Sequence, residues 1–289
     1  MQVLTSILWV EAANVGAGLV ADLRAIHPEG YDEEADSFSC ERRPEGDPVL
    51  ARVRERLDRA GLTPARIGES EDEGRTYNQV RFRTYDAADL AAAPLLVFTP
   101  TTEVASGHRD EAGQIKLGVR KLSPTLPVAL AHNEGWYVVP ERIKARLEAA
   151  DLIGVTFRAT IPSKNDGQGG PATWPKGGEP WWELRGAGDM PPFAPGLDLT
   201  DGHGRPLADR ADDSQGLIPV EEFFDLPELR YRAADLAAMP PFDLARSRER
   251  VGTAAWNDNR FLIASPRFVA FCREHDFPVA WAPVRVDAA

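Results

Sequence analysis

Residues 135–161 read GWYVVPERIKARLEAADLIGVTFRATI, and the reading of this stretch decides the fold. WYVV is an apolar run of strand character. Pro140-Glu141 then opens a helix, because proline costs nothing at a first helical position and a carboxylate suits the positive helix end. Ile143, Leu147 and Ala150 recur at helical spacing, which gives the helix one apolar face. Asp151 marks the exit turn, and VTFRATI closes the unit as a second strand. The stretch therefore predicts strand–helix–strand, with the helix laid on a sheet.

Residues 260–286, RFLIASPRFVAFCREHDFPVAWAPVRV, align with it without a gap. Arg142/Arg267 and Asp151/Asp276 are identical. The apolar pattern agrees at Val138/Ile263, Ile143/Phe268, Leu147/Cys272 and Leu152/Phe277. Ser265-Pro266 is an N-cap serine followed by proline, so the second helix carries its own start signal. Upstream of each unit lies a second matching pair, YDAADLAAAP at 85–94 and YRAADLAAMP at 231–240. Each predicts a Tyr-bearing strand end and a short alanine-rich helix, with Asp89 or Asp235 in its first turn and Pro94 or Pro240 beyond its end. Duplication is the simplest account of the four segments, although two generic units of one type would also look alike.

Working outward, the chain divides into an N-terminal segment (1–75), module one (76–161), a Gly/Pro/Trp-rich connector (162–222) and module two (223–289). The fold class is α+β: two related strand–helix–strand modules, in one shared sheet or in separate ones, after an N-terminal α/β segment. Module one carries an insert, EVASGHRDEAGQIKLGVRKLSP, whose Asp110-Glu-Ala-Gly turn and alternating Ile115, Leu117 and Val119 predict a hairpin. In the N-terminal segment QVLTSILWV reads as a strand running into a small-residue turn, and DPVLARVRERLDRAGLTP as an amphipathic helix.

The 289 residues carry a formal net charge of −12. That argues against nucleic acid or an anionic membrane as the main partner, since both require a basic surface. It suits a basic protein partner, because opposite fields speed association, and it equally serves solubility. No apolar run approaches the roughly 20 residues that span a bilayer. Two cysteines, Cys40 and Cys272, make no disulfide framework. A cytoplasmic location is expected.

None of the five histidines sits at a metal-ligand spacing. HNEGW at 132–136 departs from H-E-x-x-H, and neither a nucleophile elbow nor a phosphate loop is present. DGHGRPLADRADD gathers Asp201 and His203 with further acids in one Gly-rich loop, which could hold a cation but reads more simply as a solvated loop. Glu103, His108 and Asp110 lie near the hairpin tip, where pKa-shifting pockets are uncommon. Cys272 falls on an apolar helix face, the place of an inert thiol. Trp174, Trp181 and Trp182 cluster in the connector. Tryptophans on such a surface serve as interface anchors, while strand alternation turns one of Trp181 and Trp182 inward. Trp174, Trp181, Trp182, Asp201 and His203 are accordingly the candidate partner-binding residues. No catalytic residue, metal or cofactor is expected.

The order of these features resembles a set of bacterial proteins that includes polymorphic-toxin immunity proteins of the double-CXXCG type. The likeness rests on the Y-x-x-x-[DE]-L-x-x-A-P-L-L box, the VVPERIKARLEAADLIGVTFRAT helix unit, WWELR, ELRYRAADL and the FLIASPRFVAFCREHDFPVAWAPVRV ending, over about 76–289. Those proteins carry paired C-x-x-C knuckles; here EVASGHRDEAGQ stands where the first would fall, so no zinc site carries over. The resemblance implies a non-enzymatic cytoplasmic protein that binds and neutralises a cognate toxin. An enzyme with a site assembled around His203, or a self-associating scaffold, are the alternatives.

Overall fold

The computed structural model describes residues 1–65, 76–102, 107–119, 122–123, 125–131, 136–164, 172–174, 178–194, 217–219, 228–252 and 260–288. It is a mixed α+β protein with two compact units, Met1–Ala87 and Ala88–Leu197 together with Glu228–Ala289.

The first unit runs β1 (Gln2–Glu11), α1 (Ala12–Val15), α2 (Ala17–Ile26), β2 (Tyr31–Asp32), β3 (Ser37–Pro44), α3 (Pro48–Arg59), β4 (Thr63–Ala65) and β5 (Thr76–Thr84). Its sheet has the order β2-β3-β1-β5-β4, so the apolar first strand lies at the centre, antiparallel to both neighbours. The amphipathic segment forms α3 because Asp47 caps it, accepting from the Val49 and Leu50 N–H groups at 2.7 and 3.2 Å, with Pro48 at the first helical position. Leu50, Val53 and Leu57 recur on one face and pack, fully buried, with Ile7, Leu23 and Phe38. The stretch after β1 departs from the expected turn. Gly16, at φ +89°, breaks it into two helices, and Leu19, Val20 and Leu23 give α2 a buried face of its own. Gly18 is exposed within α2, and a Cβ there meets nothing within 4 Å. Gly18→Ala should therefore raise stability by about 0.5–1 kcal/mol in urea unfolding, through lost freedom of the unfolded chain.

The second unit runs α4 (Ala87–Ala92), β6 (Leu95–Pro100), β7 (Gly107–Arg109), β8 (Ile115–Gly118), β9 (Ala129–Leu130), β10 (Tyr137–Pro140), α5 (Glu141–Ala149), β11 (Val155–Ala159), β12 (Ile161–Ser163), β13 (Trp181–Gly186) and β14 (Gly188–Asp189). It continues with β15 (Leu217–Pro219), β16 (Arg230–Arg232), α6 (Ala233–Ala237), β17 (Leu244–Arg246), β18 (Arg250–Gly252), β19 (Leu262–Ala264), α7 (Pro266–Glu274) and β20 (Val279–Asp287). The insert is a hairpin as expected: β7 and β8 pair antiparallel around a turn in which Asp110 Oδ1 accepts from the Gln114 N–H at 2.9 Å.

The two nine-residue helices of the second unit are crossovers of one kind. α5 joins β10 to β11, and the antiparallel β13 fills the gap between these parallel strands. α7 joins β19 to β20, and there β6 fills the gap. Each exit turn carries an aspartate in the left-handed region, Asp151 at φ 50° and Asp276 at φ 51°. The two crossovers lie in different sheets, ordered β11-β13-β10-β9 and β14-β17-β19-β6-β20-β16, rather than in one shared sheet. Residues 76–84, grouped with module one in the sequence reading, form β5 in the sheet of the first unit. The main core of the second unit centres on Phe98, whose ring meets Tyr137 and Phe268 edge-on at 5.5 Å and Trp281 at 5.7 Å.

Candidate functional site

On β3 the period-two pattern separates two faces. Phe38 and Cys40 point into the core, Ser37, Ser39 and Glu41 alternate with them, and Arg43, beyond a bulge, joins these three in lining a concavity of about 410 Å³. The opposite wall is the segment His27–Asp32, contributing His27, Glu29, Gly30, Tyr31 and Asp32. This wall lies close to β3 because residue 30 is glycine. A Cβ there would collide with the backbone carbonyl oxygen of Ser39 and reach within 2.8 Å of the His27 ring.

A bulge shapes the β3 wall. The register with β1 slips between Cys40 and Arg43, and Arg42 takes φ 47°, held by its N–H donating to the Ser6 hydroxyl at 2.8 Å. Bulges re-aim neighbouring side chains, and here Glu41 and Arg43 both turn to the concavity.

The charges in the concavity do not cancel. Arg43 lies 3.4 Å from His27 Nε2, and its charge is shared with Asp47 at 3.5 Å. Asp32 caps the following turn, accepting from the Glu34 and Ala35 N–H groups at 2.9 and 3.2 Å. Among the described residues Glu29 and Glu41 make no ion pair, and both are exposed. At the rim, Tyr31 donates to Asp36 at 2.9 Å, and this bond to a carboxylate, ahead of burial, lifts the Tyr31 phenol above its ordinary range. Arg24 stacks over the Tyr31 ring at 4.5 Å and pairs with Glu33 at 3.2 Å. The arrangement is an acid-walled recess with aromatic and hydroxyl groups at its sides, chemistry suited to holding a basic side chain.

The tryptophans of the sequence reading belong to the second unit. Strand alternation on β13 turns Trp181 inward, 4% exposed, into a cluster with Ile115, Leu117, Trp136 and Val138. Trp174 packs, partly buried, against the same cluster. Trp182 is on the other face, half-buried, with its Nε1 donating to Glu141 and its ring 4.7 Å below the Lys144 ammonium. Beside Trp181 the buried Glu183 holds the Arg109 guanidinium at 2.8 Å, and Arg109 covers Trp136 at 4.5 Å. All three tryptophans are thus engaged in packing. Asp201 and His203 lie outside the described residues, as do Glu103 and His132. Cys272 is buried in α7, and burial pushes its thiol far above the ordinary range, as an inert thiol requires.

The sequence reading missed Glu29, Asp32, Glu41 and the groove they line. A signal was present in SFSCERR, whose alternation of apolar and polar residues marks a two-faced strand, and in the acidic run YDEEAD before it. Nothing in the sequence brings 27–32 across from 37–43, which depends on Gly30. Compared with known proteins, the chain matches no family model, no curated protein and no solved structure.

Proposed function

We propose that this chain is a non-enzymatic, cytoplasmic binding protein of bacterial immunity type, which neutralises a basic toxin by holding it against an acidic surface. The observation that carries the reading is the acid-walled concavity of the first unit, where Glu29 and Glu41 face a recess large enough for a long basic side chain. The formal net charge of −12 supports it as a long-range field that steers a cationic partner. Among the described residues no helix is long and apolar enough to cross a membrane.

The test uses the protein encoded beside this one. The neighbour is expressed alone and with this chain, growth is scored, and the mixture is run on size exclusion with light scattering. Rescue of growth together with a stable complex is the expected result. Glu29→Lys and Glu41→Lys, both at exposed positions, should keep the melting temperature. Each should weaken the complex about tenfold at low salt, chiefly through slower association. A harmless neighbour that forms no complex removes the immunity reading, and a complex indifferent to both charge reversals moves the docking face elsewhere.

A further inference from the structure

An edge strand exposes a row of backbone donors and acceptors, and proteins guard such edges with shortness, proline or charge. Among the described residues, the strands at the ends of the sheets are two or three residues long. The exception is β11, with five. It holds no proline, keeps an unbroken register with β13, and carries one charged residue, Arg158. That guanidinium is drawn back to the Gly113 and Ala112 carbonyls at 2.9 and 2.6 Å. Ile153, two residues before the strand, is 50% exposed; with Met1 it is a large apolar side chain left open among the described residues.

The register with β13 decides which backbone groups of β11 face outward. In that register the Ala187 N–H donates to the Gly154 carbonyl and the Thr160 N–H to the Trp181 carbonyl, at 2.7 and 3.3 Å. Bonded pairs alternate along an antiparallel ladder, so Val155, Phe157 and Ala159 turn their N–H and C=O groups away from β13. At each end one outward group is engaged within the chain. The Val155 N–H donates to the Leu152 carbonyl at 3.5 Å, and the Gln114 side chain donates to the Ala159 carbonyl at 2.9 Å. Among the described residues the outward groups that remain are acceptors on Val155 and Phe157 and donors on Phe157 and Ala159.

That set is complementary to its own two-fold image. Lay a second β11 antiparallel with Phe157 opposite Phe157, and each Phe157 N–H meets the Phe157 carbonyl of the other copy. Each Ala159 N–H meets the Val155 carbonyl of the other copy. Positive N–H faces negative C=O in all four bonds, and neither engaged end group is called on. A slip of two residues either way keeps two of the four, because engaged groups then fall in the pairing. The same operation brings Ile153 alongside the far end of the other strand. We propose that the chain forms a two-fold dimer through β11, which joins the four-stranded sheets of two copies into one. The contact belongs to the second unit and does not rest on the acid-walled recess of the first.

Sedimentation equilibrium of the full chain compares the wild type with Ala159→Pro, at high salt to screen the net charge of −12 on each copy. Proline at this exposed position removes an outward N–H that the ladder with β13 does not use, and edge strands tolerate it there. The wild type is expected to pass from monomer to dimer as concentration rises. Ala159→Pro should associate about thirtyfold more weakly, two hydrogen bonds being lost, and keep the melting temperature. A wild type that stays monomeric, or a dimer that Ala159→Pro leaves intact, overturns the proposal. Should Ala159→Pro not fold, amide exchange in the wild type decides. Exchange at Phe157 and Ala159 that slows with rising concentration supports the pairing, and exchange indifferent to concentration overturns it.

Discussion

Replacing Asp243 by alanine should destabilise the second unit by about 3 kcal/mol, the larger of two effects expected from single substitutions. The carboxylate is buried, 5% exposed, and joins three parts of the chain. Oδ2 accepts from the Ile153 N–H at 2.8 Å, in the turn between α5 and β11. Oδ1 accepts from the Ser265 hydroxyl at 2.7 Å, and that hydroxyl itself caps α7 by accepting from the Phe268 N–H at 3.2 Å. Arg267 closes the group at 3.1 Å from Oδ2 and reaches the Ala150 carbonyl at 2.7 Å. Alanine strands the Ile153 N–H and frees the Ser265 hydroxyl from its orientation. Arg267 contributes less to the loss, because its side chain is 54% exposed and can turn to water. Asp243→Asn keeps one acceptor and should lose about 1–2 kcal/mol. Urea unfolding of the three proteins checks the order, and equal stability of Asp243→Ala and wild type would show that the network carries no net energy. Ser265→Ala combined with Asp243→Ala should fall short of additivity, since both remove the same cap.

Gly154→Ala is the second, at about 2–3 kcal/mol. Gly154 has φ +85°, which costs a residue with a Cβ about 1 kcal/mol or more. An added Cβ would also collide with the backbone carbonyl oxygen of Leu244, an atom of β17 that cannot rotate away. The turn cannot shift to relieve this. The Ile153 carbonyl accepts from the Asp243 and Leu244 N–H groups at 2.7 and 3.2 Å, and the Gly154 carbonyl accepts from the Ala187 N–H at 2.7 Å. Gly186 shows the same close approach, its added Cβ falling 2.6 Å from the Ala245 carbonyl carbon. Thermal unfolding of Gly154→Ala beside Gly18→Ala makes the contrast, since one substitution meets backbone and the other open space. A Gly154→Ala protein as stable as wild type would mean that β11 and β17 do not approach so closely in solution.

What the sequence by itself determined lies within single segments. Apolar spacing along 139–154 and 265–277 placed α5 and α7, Ser265 marked a helix start, and alternation in WWELR foresaw that Trp181 and Trp182 face opposite ways. Each of these follows from the chemistry of residues a few positions apart, where backbone geometry alone fixes which side chains share a face. The tertiary structure decided everything that depends on which segments meet. β13 fills the gap between β10 and β11 while β6 fills the gap between β19 and β20, and β5 joins the first unit. Strand periodicity reports a face but carries no address for a partner. The acid-walled groove was equally hidden, because it requires Gly30 to bring one backbone against another. Asp243 looked like one acid among many in the sequence. It became a hub because folding carried it out of water to three donors that lie far from it along the chain.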